Sequence, residues 1–236
     1  MRVAETLATI AQKLPVSLIL KGSYRKANRT SAGSFQGIGD EAALELLNEA
    51  GRQIGAPTLT DIHADHEAAL AAAYVDVLQI PAFLSRQTSL LEAAAKTGRT
   101  VNIKKAQFMA PDDMAKAAEK VTAAGGKHVW LTERGTSFGY HDLVVDFRSL
   151  VIMRQSGYPV IFDATHSVQQ PSIGAQSGGK REFIPALARA AAAVGIDGIF
   201  FETHPDPSQA KSDAATQLPL EQAGVFLQTV LDYWHG

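Results

Sequence analysis

Three features of this sequence together predict an α/β chain folded as a (β/α)8 TIM barrel, with seven of its eight strands visible. Short β-branched or aromatic runs alternate with segments rich in Ala, Leu, Glu and Lys along the whole chain. The runs are almost continuously apolar, as a parallel sheet covered on both faces requires. Polar residues gather at their trailing ends: Lys21 and Ser23, Asp61 and His63, Gln79, Lys104, Glu133 and Arg134, Asp163 and His166, Glu202 and His204. An open doubly wound sheet concentrates such residues at one switch point, whereas a barrel collects them from every strand onto one face.

The chain opens on a helix, with Val3, Leu7, Ile10 and Leu14 forming one apolar stripe. The strand that should precede this helix is absent. Either the start lies upstream of Met1, the chain is trimmed, or another segment fills the gap. Strands are expected over 17–22, 57–62, 75–80, 100–105, 128–132, 160–164 and 198–202. Between them, a helix over 40–53 can start on an Asp40 cap, and His66 falls in the first turn of another. A helix over 89–96 can be capped by Thr88 and stopped by Gly98. Pro111 suits the first turn of a helix running to Ala124. Helices over 145–155, 182–194 and 220–233 complete the set. No linker or charge run divides the chain, so residues 1–236 read as one catalytic barrel domain. The loops 135–142, 167–181 and 205–219 are long or rich in Gly, Pro and Ser, and are either lids or surface variation.

At 236 residues with 46% apolar content the chain can bury a sizeable core, close to the roughly 250 residues of a typical barrel. A net charge of -2 argues against a nucleic-acid partner. No apolar run is long enough to span a bilayer, and the opening residues lack a signal peptide's apolar block. With no cysteine there is neither a disulfide framework nor a thiol nucleophile, and a cytoplasmic location fits.

Two constellations carry chemistry. The loop after the first strand reads KGSYRKANRTS, with Lys21, Arg25, Lys26 and Arg29 beside hydroxyl and amide groups. Such a cluster binds phosphate or carboxylate, or is simply a solvated basic loop. Lys21 on the strand itself needs an anionic partner, and Lys104, Lys105, Arg134 and Arg86 add cations at other strand ends, which favours a polyanionic substrate. The second constellation is His166, Glu202 and Asp213. One imidazole with two carboxylates suits Zn²⁺, Fe²⁺ or Mn²⁺ with coordination positions left open, or else is a set of hydrogen-bonded strand-end polars. His66 is taken as solvated, and His128, His141 and His235 as structural or exposed.

The motifs KGSYRKANRTS, TDIH, QIPAFLSRQT, NIKKAQF, LTERGTSFGY, DLVVDFRSL, FDATHSVQ, SGGKREF and ETHPDPSQAKSDAATQLPL follow one another along nearly the whole chain. Together they resemble the 3-deoxy-D-manno-octulosonate 8-phosphate synthases. The resemblance implies a barrel, usually a homotetramer, that condenses phosphoenolpyruvate with D-arabinose 5-phosphate and water for the lipopolysaccharide inner core. It implies that Lys21, Lys26, Lys104 and Arg134 hold phosphoenolpyruvate with help from Gln107, and that Asn28, Arg29 and Thr30 orient the sugar phosphate. Thr30 stands where the family more often has Ser. Arg86 would reach the sugar's phosphate in a neighbouring subunit, and Asp61, His63 and Gln79 would line the reacting centre.

The family has metal-dependent and metal-free branches. The former adds a Cys on the first strand to the ligands equivalent to His166, Glu202 and Asp213; the latter has Asn in place of that Cys. That position cannot be read here, but SDAATQLPL resembles the metal-dependent branch, implying three visible ligands and weakened affinity. No organic cofactor is expected. Two other readings remain: the sister synthase using erythrose 4-phosphate, whose loop resembles KPRTS where this chain has KANRTS, and an inactive barrel that binds phosphoenolpyruvate.

Overall fold

The computed structural model describes residues 1–25, 38–171 and 178–234. Seven parallel strands form one sheet: β1 (Leu20–Lys21), β2 (Thr58–Asp61), β3 (Val77–Ile80), β4 (Thr100–Lys104), β5 (Val129–Glu133), β6 (Val160–Asp163) and β7 (Gly198–Phe200). Their spatial order is their chain order, with β1 and β7 at the two ends. This is the strand order of a β/α barrel one strand short. Among the described residues no further strand joins the sheet.

Eight helices accompany the strands among the described residues: α1 (Arg2–Ala11), α2 (Asp40–Ile54), α3 (Glu67–Ala72), α4 (Thr88–Lys96), α5 (Asp113–Ala123), α6 (Arg148–Arg154), α7 (Ile184–Val194) and α8 (Ala223–Leu231). Most bury apolar residues at helical spacing, whereas α1 buries Ala4 alone. On α7, Ile184, Ala188, Ala191 and Ala192 are all buried. On the strands Leu59, Leu78, Ile80, Val101, Ile103, Leu131, Val160 and Phe162 are buried, as a sheet covered on both faces requires.

The chain divides into two compact units, Met1–Lys104 with Ala115–Trp130, and Lys105–Met114 with Leu131–Gly236. The same device starts strands in both. Asp76, just before β3, accepts the amide of Thr58 at the head of β2 (2.8 Å). In the second unit Asp197, just before β7, accepts the amide of Val160 at the head of β6 (2.8 Å). Each carboxylate satisfies an orphan donor at a strand entrance and fixes the offset between neighbouring strands.

Several local expectations are corrected. Asp40 does not cap α2; Gly39 stands at the cap and the Asp40 carboxylate binds Arg25 instead. Thr88 lies inside the first turn of α4, not at its cap, and its hydroxyl accepts from Lys120 Nζ (2.9 Å). Pro111 precedes α5 by a turn, its carbonyl accepting the Met114 amide (3.3 Å). Residues 145–147 stay outside α6, where the Asp146 carboxylate caps the Arg148 amide locally (3.0 Å). α7 and α8 each begin later than predicted, behind a single 3-10 turn at Arg181–Phe183 and Leu220–Gln222.

Short ladders tie together the described parts at the ends of the three long loops. Thr136–Ser137 pairs with Leu143–Val144, Gln169–Gln170 with Gly178–Gly179, and Thr203–His204 with Leu218–Pro219. Two-residue ladders of this kind leave no periodic trace in sequence, because their partners are fixed by the return of the loop.

Candidate active site

In the first unit, register creates a polar row. Asp61 on β2 is paired with Gln79 on β3, and Gln79 with Asn102 on β4, so the three side chains share one level of the sheet. Gln79 Nε2 donates to Asp61 Oδ1 (2.6 Å), and Asn102 Nδ2 donates to Gln79 Oε1 (2.9 Å). Lys21 at the end of β1 lies 3.2 Å from Asp61 Oδ2 and donates to Ser23 Oγ (2.8 Å). Burial alone would raise the Asp61 pKa, but the charges of Lys21 and Lys104, with the Gln79 hydrogen bond, hold it below the usual carboxylate range.

Beside this row Glu67, in the first turn of α3, gathers three neighbours. It accepts from the Tyr24 hydroxyl (2.6 Å), from Arg25 Nη1 (3.0 Å) and from the His63 amide (2.7 Å). His63 Nδ1 sits 3.4 Å from the same carboxylate. Burial lifts the Tyr24 phenol well above its usual range, and the Glu67 hydrogen bond lifts it further. Arg25 is thus committed to Asp40 and Glu67, and Lys21 to Asp61. Two of the loop's four cations are therefore matched within the chain. Lys26, Asn28, Arg29 and Thr30 lie outside the described residues. Arg86 is exposed, following the 3-10 turn Ala82–Leu84. His66 and His128 are exposed, as expected, and His235 lies outside the described residues.

The second unit has a different centre. Arg134 follows β5 and is only 4% exposed. Its chain direction is set by Glu133, which accepts the Gly135 amide (2.7 Å), the Ser149 hydroxyl (2.6 Å) and the ion pair with Lys105 (3.5 Å). Gly135 takes a positive φ of 91°, a turn that only glycine adopts without strain. Lys105 is fully buried, and that burial pulls its pKa down while Glu133 pushes it back. Arg134 Nη2 donates to Gln169 Oε1 (2.9 Å). Its Nη1 is buried with no hydrogen-bond partner among the described residues, as is Gln107 Oε1.

Next to it stand His166, Glu202 and Asp213, whose ligand atoms all lie within 4.8 Å of one another. His166 Nδ1 is held by Asp163 Oδ2 (2.8 Å). An ionised carboxylate accepts only, so Nδ1 carries a proton, and in the neutral ring Nε2 presents its lone pair. Nε2 is 4.0 Å from Glu202 Oε1. Asp213 takes a positive φ of 52°, and the ladder from Thr203–His204 to Leu218–Pro219 returns its loop to the strand end that bears Glu202. Ligands about 2.0–2.2 Å from one tetrahedral ion lie roughly 3.4 Å apart. The three groups therefore reach a divalent cation by drawing together from a spread of up to 4.8 Å. A His/Glu/Asp cluster able to hold a divalent metal is present.

The family model of the DAHP synthetase I family matches residues 1–234. The chain belongs to that family. Among its relatives, the 2-dehydro-3-deoxyphosphooctonate aldolase of Rhodopseudomonas palustris (strain BisB5) is 55% identical over 235 residues, 99% of this chain and 82% of that protein. Proteins of the same name from Magnetococcus marinus and from a Synechococcus strain are 54% and 53% identical over 93% and 98% of this chain, covering 77% and 82% of their own lengths. Membership of this family makes the two clusters candidate parts of an enzyme's catalytic machinery. No helix among the described residues is long and apolar enough to cross a membrane.

Gln169, Asn102 and Glu67 received no role from the sequence. Asn102 was findable, since it stands two residues before Lys104 on one strand and so shares its face. Gln169 was quoted within FDATHSVQ, but nothing local identifies its partners.

Proposed function

We propose that the chain joins phosphoenolpyruvate to D-arabinose 5-phosphate and water, giving 3-deoxy-D-manno-octulosonate 8-phosphate and inorganic phosphate for the lipopolysaccharide inner core. The observation that carries this reading is the set of relatives, 51–55% identical over almost the whole chain, that bear the octonate aldolase name. In this reading residues 1–236 act as a single catalytic domain.

The chemistry needs two anionic substrates held against their repulsion. The vinyl carbon of phosphoenolpyruvate forms a bond to the aldehyde carbon, whose oxygen takes up a proton. Water adds at the carbon bearing the phosphate and gives up a proton. The resulting hemiketal phosphate then loses inorganic phosphate by carbon–oxygen cleavage. Arg134, buried with one nitrogen unbonded, receives an anionic group of phosphoenolpyruvate, helped by Gln107, whose Oε1 is likewise buried without a partner among the described residues. Lys104, Lys21 and Lys26 supply further positive charge, and Asn28, Arg29 and Thr30 orient the sugar phosphate. Asp61, His63 and Gln79 line the reacting centre; the Asp61 carboxylate, kept ionised by Lys21 and Lys104, orders the amide of Gln79. His166, Glu202 and Asp213 hold a divalent cation, which supplies Lewis acidity when bound. Asp163 keeps His166 in the tautomer that this role needs. In a homotetramer Arg86 reaches the sugar phosphate in a neighbouring subunit, and the protein works in the cytoplasm.

The sister reading, with erythrose 4-phosphate, is favoured by one observation, the DAHP synthetase description of the family. Phosphate release measured with each aldose, under chelator and with Mn²⁺ or Zn²⁺, separates the two. The expected result is a kcat/KM for arabinose 5-phosphate at least about tenfold higher, the scale on which pocket contacts discriminate. Preference for erythrose 4-phosphate would move the chain to the sister activity. Binding of phosphoenolpyruvate without release would leave an inactive barrel.

A further inference from the structure

Gln169 belongs neither to the anion-binding group nor to the cation-binding group, yet it touches one member of each. Its carboxamide has one accepting end and one donating end. Oε1 accepts from Arg134 Nη2 (2.9 Å), and Nε2 donates to Asp213 Oδ1 (2.7 Å). A guanidinium can only donate and an ionised carboxylate can only accept, so these partners permit a single orientation of the amide. The backbone enforces the contact. Gln169 starts the ladder with Gly178–Gly179, and an added Cβ at Gly179 would lie 2.1 Å from Thr216 Cγ2. The amides of Thr216 and Gln217 both donate to the Asp213 carbonyl (2.9 and 3.0 Å), so that ladder lies directly against the turn carrying Asp213.

We infer that Gln169 couples anion binding at Arg134 to divalent-cation binding at His166, Glu202 and Asp213. The inference rests on the substrate reading above. An anion that engages Nη1 of Arg134 fixes the guanidinium, and with it the Gln169 amide and the Asp213 carboxylate. A cation that engages Asp213 fixes the same chain from the other end. Whichever ligand arrives first orders the groups awaiting the second, so each tightens the other, and by the same factor. Gln169 is a positioning residue, touching neither ligand. Direct attraction between cation and anion also couples the sites, but it persists when Gln169 is removed. The difference between parent and variant isolates the amide.

The test uses the full chain stripped of metal by chelator. The affinity for Mn²⁺ is measured by titration calorimetry with and without saturating phosphoenolpyruvate, and the affinity for phosphoenolpyruvate with and without Mn²⁺. The parent protein should show a common coupling factor within the roughly 5- to 150-fold range usual for linked sites. In Gln169→Ala both ligands should still bind, while the factor falls at least fivefold. Gln169→Glu keeps the side chain's shape and its acceptor for Arg134 but loses the donor to Asp213, so it should lose the coupling as well. A factor unchanged within twofold in both variants overturns the inference alone, as does a parent protein that binds both ligands without coupling. A parent protein that binds no phosphoenolpyruvate overturns the substrate reading, and this inference with it.

Discussion

The charged clusters of the two units are built on opposite plans. In the first, Lys21 finds Asp61 and Arg25 finds Asp40 and Glu67 inside the chain, while the buried His63 Nδ1, 3.4 Å from Glu67, makes no hydrogen bond among the described residues. In the second, Arg134 is buried with one nitrogen unbonded among the described residues, beside three ligand atoms converging on one point. An unsatisfied buried donor costs about 1–3 kcal/mol, and more when charged. A fold carries that cost where a ligand is to remove it. Completeness thus separates groups already neutralised within the chain from groups left for a ligand to meet, although both sets look alike as strand-end polars in the sequence.

The sharpest way to break this contrast is Arg134→Met. If the group awaits an anion, kcat/KM for phosphoenolpyruvate should fall by about 10²–10³-fold, the scale of removing one donor aimed at developing charge. The denaturation midpoint should move little, since a costly buried charge is removed. Stability lost without loss of activity would make Arg134 a residue that serves the fold alone.

An effect on stability instead of turnover tests the pair that shapes the Arg134 turn. Lys105→Met strands the Glu133 carboxylate and should cost about 3–5 kcal/mol in urea unfolding. Adding Glu133→Gln, which still accepts the Gly135 amide, should recover at least half. Burial holds the folded-state pKa of Lys105 below its unfolded value, so the unfolded chain keeps this proton to higher pH. The parent's stability relative to Lys105→Met should therefore grow as pH rises through that window toward about 10.4. A flat difference across alkaline pH would contradict the burial argument.

The smallest effect lies in the first unit. Asp61→Asn keeps the shape and removes the charge facing Lys21, and should cost about 1.5–3 kcal/mol at pH 7. The folded-state pKa of Asp61 is depressed, so its contribution is complete above the unfolded value of about 3.9 and fades as pH falls toward the folded one. The gap between parent and variant should hold from pH 7 to about pH 5 and close only in stronger acid.

What could be read from sequence follows from how far each signal reaches. β4 was legible because Val101 and Ile103 carry its apolar character within five residues. The triad His166, Glu202 and Asp213 was legible as residue types, through a resemblance that spans the chain. α3 left only a trace, since six residues rich in alanine carry little periodicity and Glu67 looks like any helix-start acid. Gln169 was illegible for a physical reason. Its two partners lie 35 and 44 residues away, and only the folded loop brings them to opposite ends of one amide. The unexpected caps have a similar cause: Asp40 has an ordinary capping preference, but Arg25 outbids the helix amides for its carboxylate.

Gly179 bears no functional group, and its importance is purely one of clearance. A single methyl there would collide with Thr216 and shift the turn that fixes Asp213. Selection acting only on chemistry would then guard a position that takes no part in it. A screen for inactive variants would return residue 179 among the ligands, and a designer grafting this loop elsewhere would have to carry over an empty space along with the side chains.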